Sequence, residues 1–262
     1  MNIELDRIVE IAKEAGKAIM EIYSRDFDIV EKEDKSPLTE ADLAAHGVIV
    51  DALKKLDPEL PILSEESAKI PFEERAQWQR YWLVDPLDGT REFIKRNGEF
   101  TVNIALIDSG RAVCGAVHVP ARDTSYYGCI GEGAWKIEGN APAEPISVAS
   151  ERHTPLRVAG SRSHAGDSLK RFLEKVGPHE IVSMGSSLKL CLVAEGEADI
   201  YPRLGPTSEW DTAAAQAVVE AAGGTVTDVD MQPLRYNHKE SLLNPYFLVF
   251  ADGNENWSDY LS

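Results

Sequence analysis

Two aspartates in the segment WLVDPLDGT are suited to holding a metal ion. Asp85 and Asp88 lie three residues apart, at the end of an apolar run and just before Gly89 and Thr90. Pro, Asp and Gly also suit a tight turn, so an ordinary turn is the simpler interpretation. A carboxylate in apolar surroundings is poorly solvated, however. Two carboxylates this close together therefore indicate a cation.

A hard divalent cation such as Mg²⁺ fits these donors, because it prefers oxygen ligands and is usually held by a few carboxylates together with substrate phosphates. The segment offers Asp85, the Leu87 carbonyl and Asp88. The following residues, GTREFIK, predict a helix start whose amides, those of Gly89 and Thr90, would face an anion. With two or three ions at this corner, a water of lowered pKa can attack a phosphoryl group in line. No covalent nucleophile is then required.

Other acidic residues lie where the chain leaves a regular element. They are Asp42 in TEAD, Glu65 and Glu66 in LSEES, and Asp211 in EWDTAAA. Each also has a structural interpretation. Asp42 fits a capping box that begins at Thr39, Asp211 fits a helix cap, and the glutamates fit a solvated loop. These residues taken one at a time leave both interpretations open.

The elements that must position these residues indicate a mixed α/β chain. Apolar residues at three- and four-residue spacing predict a helix over 3–23, and SPLTEADLAAHGVIVDALKKL predicts a second helix. Short β-rich runs from RYWLV to GAWKI predict an antiparallel meander. After a Pro- and Ala-rich stretch at 140–155, strands and helices alternate. We therefore expect an N-terminal α+β lobe over 1–145 and a C-terminal α/β lobe over 146–262.

Composition narrows the partners and the compartment. The formal net charge of −17 over 262 residues argues against binding to a nucleic-acid polymer or to an anionic membrane surface. The three cysteines, Cys114, Cys129 and Cys191, form no CxxC pair, so we expect buried thiols in a reducing compartment. The first twenty residues are charged throughout and predict neither a signal peptide nor a transmembrane segment. A cytoplasmic location is the expectation.

Three motifs together resemble the signatures of a known superfamily. WLVDPLDGTREFIK, WDTAAAQAVVEAAGG and LSEES are similar, in order, spacing and type, to those of the lithium-sensitive, magnesium-dependent phosphatases. That superfamily includes inositol monophosphatase, fructose-1,6-bisphosphatase and the bisphosphate nucleotidases. The resemblance extends over nearly the whole chain, and it implies a layered αβαβα sandwich.

Within the superfamily, DKSPLTEAD, AGSRSH, GSSLKLCLVAEGEADIYPRLGPTSEWDTAA and SLLNP most resemble the bacterial 3′(2′),5′-bisphosphate nucleotidases. The resemblance implies a phosphoric monoester hydrolase that converts adenosine 3′,5′-bisphosphate to AMP and phosphate, and so clears a by-product of sulfate assimilation. It also implies two to three Mg²⁺ ions and inhibition by lithium. The alternative substrate is inositol monophosphate or another sugar phosphate. A binding protein that has lost catalysis is a further alternative, which the full set of acidic residues argues against.

The resemblance also assigns roles to individual positions. It implies the following metal ligands: Glu65, Asp85, the Leu87 carbonyl, Asp88 and Asp211. Asp42 and Thr90 would orient and deprotonate the attacking water, with Glu65 also counted as catalytic, Thr39 supporting Asp42 and Glu66 lying behind the ligands. The amides of Gly89 and Thr90 would bind the scissile phosphate, beside Asp88 and Asp211. The remaining nucleotide-binding residues implied are His164, Ser186, Lys189 and Arg203.

Charge supports part of this last set independently. A bisphosphate needs a second anion site away from the metal ions, and Lys189 and Arg203 are cations in an acidic chain. Their structural alternative is a pair of surface charges with buried stems. The sequence leaves open a monomer or a homodimer, and a peripheral association with the inner face of a membrane.

Overall fold

The computed structural model describes residues 5–27, 29–31, 37–160, 167–251, 253 and 255–261. Within these residues the α-helices are α1 (Leu5–Tyr23), α2 (Glu40–Leu56), α3 (Phe72–Arg75), α4 (Thr90–Ile94), α5 (Asp167–Val176), α6 (Leu188–Ala194) and α7 (Glu209–Ala221). The first eight strands are β1 (Ile29–Glu31), β2 (Pro37–Thr39), β3 (Ile62–Ser64), β4 (Arg80–Asp88), β5 (Thr101–Asp108), β6 (Arg111–Val119), β7 (Thr124–Cys129) and β8 (Gly133–Glu138). The others are β9 (Glu144–Ile146), β10 (Leu156–Gly160), β11 (His179–Ser183), β12 (Ile200–Arg203), β13 (Thr225–Asp228) and β14 (Phe247–Phe250).

A seven-stranded sheet forms the centre of the fold. Its strands follow the chain order from β3 to β9, with β3 parallel to β4 and every later pair antiparallel. Both faces of this sheet are covered. Trp82 and Val84 of β4 pack with helices α1 and α2, whereas Tyr81 and Leu83 pack with helices α6 and α7. A strand buried on both faces is apolar along its length, which explains the unbroken run YWLV.

Helix α7 lies directly against the second face of the sheet. A Cβ added to Gly115 of β6 would lie 2.2 Å from the carbonyl oxygen of Ala214. Glycine on the strand and alanines on the helix therefore allow close contact between the two backbones. This contact fixes the first turn of α7, which carries Asp211, relative to the sheet that carries Asp85 and Asp88.

A five-stranded sheet forms the next layer, in the order β11-β10-β12-β14-β13. Helix α6 packs on the face that looks toward the larger sheet. Phe172 of α5 and Trp257 cover the other face, where they contact Leu156, Val158 and Leu248. The layers are thus helices α1 and α2, the large sheet, helices α6 and α7, the small sheet and helix α5. The predicted αβαβα sandwich is confirmed.

The two long N-terminal helices, the antiparallel meander and the alternation of strands and helices in the C-terminal part are present as predicted. Strands β1, β2, β9, β11, β12 and β13 were not predicted. The segment from Asp85 to Asp88 was predicted as a turn, but it continues strand β4 with an irregularity in its pairing. The division into lobes at residues 145 and 146 stays a prediction.

The prediction of three buried thiols is wrong for two of the cysteines. Cys114 and Cys129 form a disulfide, because β6 and β7 pair in a register that places them opposite each other, with their Cα atoms 4.1 Å apart. Only their separation of 15 residues is visible in the sequence, and that spacing does not show the register. Cys191 is a free, buried thiol. The cysteines therefore give no support to a reducing compartment.

Among the described residues, no helix combines the length and the apolar character needed to cross a membrane.

Candidate metal and phosphate site

A bulge at the end of strand β4 brings Asp85 and Asp88 to one place. Asp85 pairs with Asn103 of β5 and Asp88 pairs with Thr101, while the two residues between the aspartates have no partner on β5. The side chain of Asp85 accepts a hydrogen bond from the N–H of Leu87 at 3.1 Å, which stabilises the bulge. A bulge redirects side chains at the end of a strand. Here the bulge lies between the two aspartates and takes the Leu87 carbonyl out of regular pairing.

Gly89 turns the chain from β4 into helix α4. Its φ of 90° and ψ of 41° lie in the left-handed region, which glycine adopts without strain. A Cβ at this position would lie 3.1 Å from the carbonyl oxygen of Glu99 and 3.3 Å from Cβ of Ser186. The predicted helix start is confirmed, since helix α4 runs over five residues from Thr90 to Ile94. Gly89 is required by both the backbone conformation and the crowding.

Three carboxylates from two distant parts of the chain meet at this point. Asp85, Asp88 and Asp211 each offer an oxygen atom, and these oxygens all lie within 4.8 Å of one another. Asp211 is the third residue of α7, where it also accepts a hydrogen bond from the Ser208 N–H at 2.9 Å. Asp211 therefore caps helix α7 and also lies in the carboxylate cluster.

The electrostatics of these carboxyl groups favour a cation. Burial raises the pKa of Asp85 well above its usual value, and Glu65, Asp88 and Asp211 raise it further. Burial also raises the pKa of Asp88, against the opposing effects of Lys189 and the Ser187 amide. The pKa of Asp211 rises to about 8, through burial and then the charge of Asp88. A divalent cation removes this repulsion, and three clustered carboxylate oxygens are the donors that Mg²⁺ prefers. The residues therefore fit a metal.

Glu65 and Glu66 begin a short 3₁₀ helix directly after strand β3, and both are half-buried. Glu65 forms a side-chain hydrogen bond with Asp85 and also raises the pKa of Asp211, so it adjoins the cluster. It is not one of the three residues whose oxygens lie within 4.8 Å of one another. Burial lowers the pKa of His46, against the opposing effect of Glu66, and His46 Nδ1 lies 2.9 Å from Ser64 Oγ.

Asp42 and Thr90 form a second polar cluster beside the carboxylates. Thr90 Oγ1 donates to Asp42 Oδ1 at 3.3 Å and lies 3.4 Å from the Leu87 carbonyl oxygen. The N–H and the hydroxyl of Thr39 both donate to Asp42 Oδ2, each at 2.7 Å. Asp42 thus completes the predicted capping box of α2 with one oxygen and reaches Thr90 with the other. The arrangement leaves the pair suited to hold a water molecule.

An open cleft of about 730 Å³ leads from Asp88 and Asp211 toward the C-terminal sheet. Lys189 lines it and is buried, and its Nζ donates to the carbonyl oxygens of Ser186 at 2.6 Å and Met184 at 3.4 Å. Burial lowers the pKa of Lys189 to about 8, against the opposing effect of Asp88. The structural alternative of a solvated surface charge is therefore wrong for Lys189.

Ser186 and Arg203 line the same cleft. Ser186 has a φ of 41°, and among the described residues its buried Oγ has no hydrogen-bond partner. Arg203 Nη2 donates to the Pro206 carbonyl oxygen at 2.8 Å, and its side chain is half-buried. His164, the fourth predicted nucleotide-binding residue, lies outside the described residues. The structure brings the other three together around the cleft.

Comparison with known proteins gives the family. The profile described as the inositol monophosphatase family matches residues 3–254. The chain belongs to the inositol monophosphatase family. Within that family it is 53% identical over 247 residues to the 3′(2′),5′-bisphosphate nucleotidase CysQ of Escherichia coli strain K12, covering 94% of this chain and 98% of the relative. The crystal structure of CysQ from Bacteroides thetaiotaomicron superposes with a TM-score of 0.83 at 42% identity, over 94% of this chain and 96% of that one.

Inositol monophosphatase from Anabaena sp. PCC 7120 has the same fold at greater distance in sequence. It superposes with a TM-score of 0.77 at 27% identity, over 98% of this chain and 94% of that one. This member of the inositol monophosphatase family is thus more similar in sequence to a bisphosphate nucleotidase than to that inositol monophosphatase.

Three linked residues around Asp88 in this member of the inositol monophosphatase family were not predicted from the sequence. They are Thr101, Asn103 and Ser187. Thr101 and Asn103 reach the carboxylates through the pairing of β4 with β5, which the sequence does not specify. The alternation of Thr and Asn with apolar residues in TVNI is the one available signal, because it places two polar side chains on one face of a strand.

Proposed function

We propose that this chain is a Mg²⁺-dependent phosphatase that removes the 3′-phosphate of adenosine 3′,5′-bisphosphate and releases AMP and phosphate. The observation that carries the proposal is the layout of one cleft. Its inner end holds Asp88 and Asp211 of the carboxylate cluster, and its wall holds the cations Lys189 and Arg203. A substrate with one phosphate at the metal end and a second at the cationic wall matches this layout. The 53% identity to a named bisphosphate nucleotidase favours the same substrate.

The carboxylates are the residues that would hold the metal. Asp85, Asp88 and Asp211 would bind it, with Glu65 and the Leu87 carbonyl as neighbouring donors. When bound, Mg²⁺ lowers the pKa of water and offsets negative charge on the transferred phosphoryl group and on the leaving oxygen. The choice of Mg²⁺ over another divalent cation rests on the all-oxygen donor set.

Asp42 and Thr90 would prepare the water that attacks phosphorus. The hydroxyl of Thr90 is held by Asp42 Oδ1, and the other oxygen of Asp42 is fixed by both donors of Thr39. A water placed against Thr90 Oγ1 would give its proton to that oxygen while Thr90 passes its own proton to Asp42. Fixed partners favour this transfer because no side chain has to reorient during the step.

The bond that forms joins the water oxygen to phosphorus, and the bond that breaks joins phosphorus to the 3′-oxygen of the ribose. The backbone amides of Gly89 and Thr90 would bind the oxygens of the phosphoryl group as it transfers. The 3′-oxygen leaves as an alkoxide and takes a proton from solvent in the open cleft. Atoms and charge then balance, with AMP and inorganic phosphate as products.

The nucleotide would occupy the part of the cleft nearer the small sheet. Arg203 would bind the 5′-phosphate, because its guanidinium offers several donors in one plane. Lys189 would contribute its charge from a fixed position, since two carbonyl oxygens hold its ammonium group. Ser186 would donate its buried hydroxyl to the nucleotide. An inositol monophosphate has no second phosphate for these groups.

Several features of this proposal rest on the sequence alone. They are the lobes at 1–145 and 146–262, the contact of His164 with the nucleotide, inhibition by lithium, the cytoplasmic location, the peripheral membrane association, and the monomer or homodimer. A small-molecule phosphate is the only partner that the proposed function requires.

The test compares two substrates with the purified chain in MgCl₂. Release of phosphate from adenosine 3′,5′-bisphosphate and from inositol 1-phosphate is measured at several concentrations of each. We expect kcat/KM to be at least about 100-fold higher for the nucleotide, because the second phosphate adds charge-assisted hydrogen bonds worth about 1.5–3 kcal/mol each. A higher kcat/KM for inositol 1-phosphate would overturn the proposed substrate and leave the phosphatase chemistry in place.

A further inference from the structure

Asp88 is held by residues that have no part in the proposed reaction. The backbone N–H of Ser187 donates to Asp88 Oδ2 at 2.6 Å, and Thr101 Oγ1 lies 3.5 Å from the same oxygen. Asn103 lies opposite Asp85 in the same pairing of strands, and its Nδ2 has no hydrogen-bond partner among the described residues. The short hydrogen bond to Asp88 therefore comes from Ser187, the residue before helix α6, and Thr101 of strand β5 lies beside it.

The hydroxyl of Ser187 joins these residues to one another. Ser187 Oγ donates to Asn103 Oδ1 at 3.0 Å and lies 2.9 Å from Thr101 Oγ1. An Asn Oδ1 only accepts, so the proton of Ser187 goes to Asn103 and the oxygen of Ser187 accepts from Thr101. The hydroxyl is thus fixed on two sides, and the N–H of the same residue is directed at Asp88.

All three residues are sealed from solvent. Thr101 is fully buried, Asn103 is 1% exposed and Ser187 is 2% exposed. Hydrogen bonds inside such a site are electrostatically stronger than in water, and an unpaired polar group there is costly. The network is therefore rigid, and the loss of one hydroxyl cannot be compensated by bulk water.

The network connects strand β5 to the segment that precedes helix α6. Thr101 and Asn103 lie opposite Asp88 and Asp85 in the pairing of β5 with β4. Ser187 ends the segment Gly185–Ser187, which lines the cleft. Lys189 holds this segment through the carbonyl oxygens of Met184 and Ser186. Asp88 is consequently positioned against both the large sheet and the wall of the cleft.

We propose that Thr101, Asn103 and Ser187 are positioning residues, whose hydrogen-bond network fixes the Asp88 carboxylate in the orientation that binds the metal ion. The network acts through Asp88. The inference rests on the metal site of the proposed function but not on its substrate. Groups behind a metal ligand set the orientation of that ligand, and their removal typically weakens metal binding by about 10- to 100-fold.

Binding of Mg²⁺ alone, without substrate, tests the network. The protein is freed of metal with EDTA, dialysed and titrated with MgCl₂ by isothermal calorimetry. The informative variants are Ser187→Ala, which keeps the amide and removes the hydroxyl, and Thr101→Val, which keeps the shape of threonine. The matched controls are Thr101→Ser, which retains a hydroxyl at the same position, and Ser125→Ala, which removes a buried serine hydroxyl that contacts His118 far from the cluster.

We expect Ser187→Ala and Thr101→Val each to raise the Mg²⁺ dissociation constant by about 10-fold, and the two controls to leave it within about twofold of wild type. The double variant should be little weaker than either single variant, because both changes break one network. Dissociation constants within twofold of wild type for both informative variants would overturn the inference. So would loss of the folded circular dichroism spectrum in both, since the network would then be structural.

These outcomes are separate from those of the substrate test. A chain that binds Mg²⁺ through this network but does not hydrolyse adenosine 3′,5′-bisphosphate would refute the proposed function and leave the network established. A chain that hydrolyses the nucleotide but whose Mg²⁺ affinity does not depend on Ser187 or Thr101 would refute the network and leave the proposed function in place.

Discussion

Asp42 and Asp211 are each used in two ways by the protein. Both are the third residue of a helix and accept a hydrogen bond from the backbone N–H three residues earlier. Asp42 also accepts from Thr90, and Asp211 also lies in the carboxylate cluster. The helix cap fixes one oxygen and leaves the other for the site. The sequence indicated a helix cap and a site role for both residues, and it could not decide between these because they are compatible.

Buried His118 lies outside the site and sets a pH limit on stability. It is 3% exposed, its Nδ1 contacts Ser125 Oγ at 2.9 Å, and burial lowers its pKa to about 4. An unfolded histidine takes up a proton near pH 6.5, whereas the ring of His118 in the folded chain stays neutral until the pH approaches 4. Because the unfolded state binds the proton first, the free energy of unfolding falls as pH drops from about 6.5 toward 4.

Replacement of His118 by asparagine should remove this pH dependence. Asn keeps a polar group near Nδ1, and the variant should be less stable than wild type at pH 7.5 because packing is lost. At pH 5 the difference in free energy of unfolding should narrow by about 2 kcal/mol, since wild type alone has lost the contribution of the neutral ring. Urea unfolding of both proteins in EDTA, at pH 7.5 and at pH 5, measures this difference in free energy of unfolding. A difference that is the same at both pH values would contradict the account.

Arg203 should act on the second phosphate and on nothing else. Among the described residues its buried Nε has no hydrogen-bond partner, and one Nη is held by Pro206. Arg203→Gln should raise KM for adenosine 3′,5′-bisphosphate by about 10-fold or more, the effect of losing a charge-assisted hydrogen bond. The KM for adenosine 3′-monophosphate, which lacks the 5′-phosphate, should change little. Arg111→Gln, at an exposed arginine, is the control. An equal loss on both substrates would show a general effect.

At the scale of elements, the bulged end of β4 and the glycine that follows it create the site. Gly89 and Gly131 both have a left-handed φ, of 90° and 86°. A Cβ at Gly89 would crowd Glu99 and Ser186, whereas a Cβ at Gly131 would meet nothing within 4 Å. The two glycines are therefore a matched pair that separates backbone strain from crowding at the site.

Alanine at each of these glycines should destabilise the chain by about 1 kcal/mol through strain at positive φ. Gly89→Ala should in addition lower kcat/KM for the bisphosphate by at least about 10-fold, because the Gly89 and Thr90 amides move away from the phosphate. Gly131→Ala should leave kcat/KM unchanged. Thermal unfolding and steady-state kinetics measure both effects. Equal kinetics in the two variants would refute the role of the turn.

The elements that the sequence predicted well are those with a strong local pattern. Helix α1 has an apolar face at helical spacing, and α2 has both halves of a capping box. Strand β12 has neither, and it contains Pro202, which usually argues against a strand inside a sheet. Its pairing with β10 is confined to Ile200, so the proline lies beyond that contact. Long-range pairing decides such strands, and no local pattern shows it.

The candidate site divides in the same way. One short segment contains Asp85, Asp88, Gly89 and Thr90, so the sequence alone indicated them as a group. Thr101 and Asn103 reach Asp88 only through strand register, and Ser187 only through the packing of α6 against the sheet. Residues that reach the site through strand register or helix packing can be identified only from the folded chain.

At the scale of the whole molecule, the metal site joins parts of the chain that are far apart in sequence. Asp85 and Asp88 belong to the large sheet, and Asp211 begins the helix that packs between the two sheets. Burying three carboxylates there opposes folding until a cation binds, as their raised pKa values indicate. Metal binding should therefore stabilise the fold as a unit.

Addition of MgCl₂ to the EDTA-treated chain should raise Tm. At 100 times the dissociation constant the gain is about 2.7 kcal/mol, or about 5–10 °C for a chain of this size. The increase should be smaller at pH 6 than at pH 8, because the carboxyl protons must leave before the metal binds and the pKa of Asp211 is raised to about 8. A Tm that does not respond to MgCl₂ at either pH would contradict the metal site.

The most direct test of the central claim is phosphate release by Asp88→Asn. The amide keeps the shape of the side chain and removes the charge that would hold the metal, and Asp51→Asn, at an exposed aspartate on α2, is the matched control. With adenosine 3′,5′-bisphosphate and MgCl₂, we expect Asp88→Asn to lower kcat by at least about 1,000-fold, or about 4 kcal/mol of barrier, with a folded circular dichroism spectrum. Asp51→Asn should match wild type. Activity of Asp88→Asn within about tenfold of wild type would contradict the account.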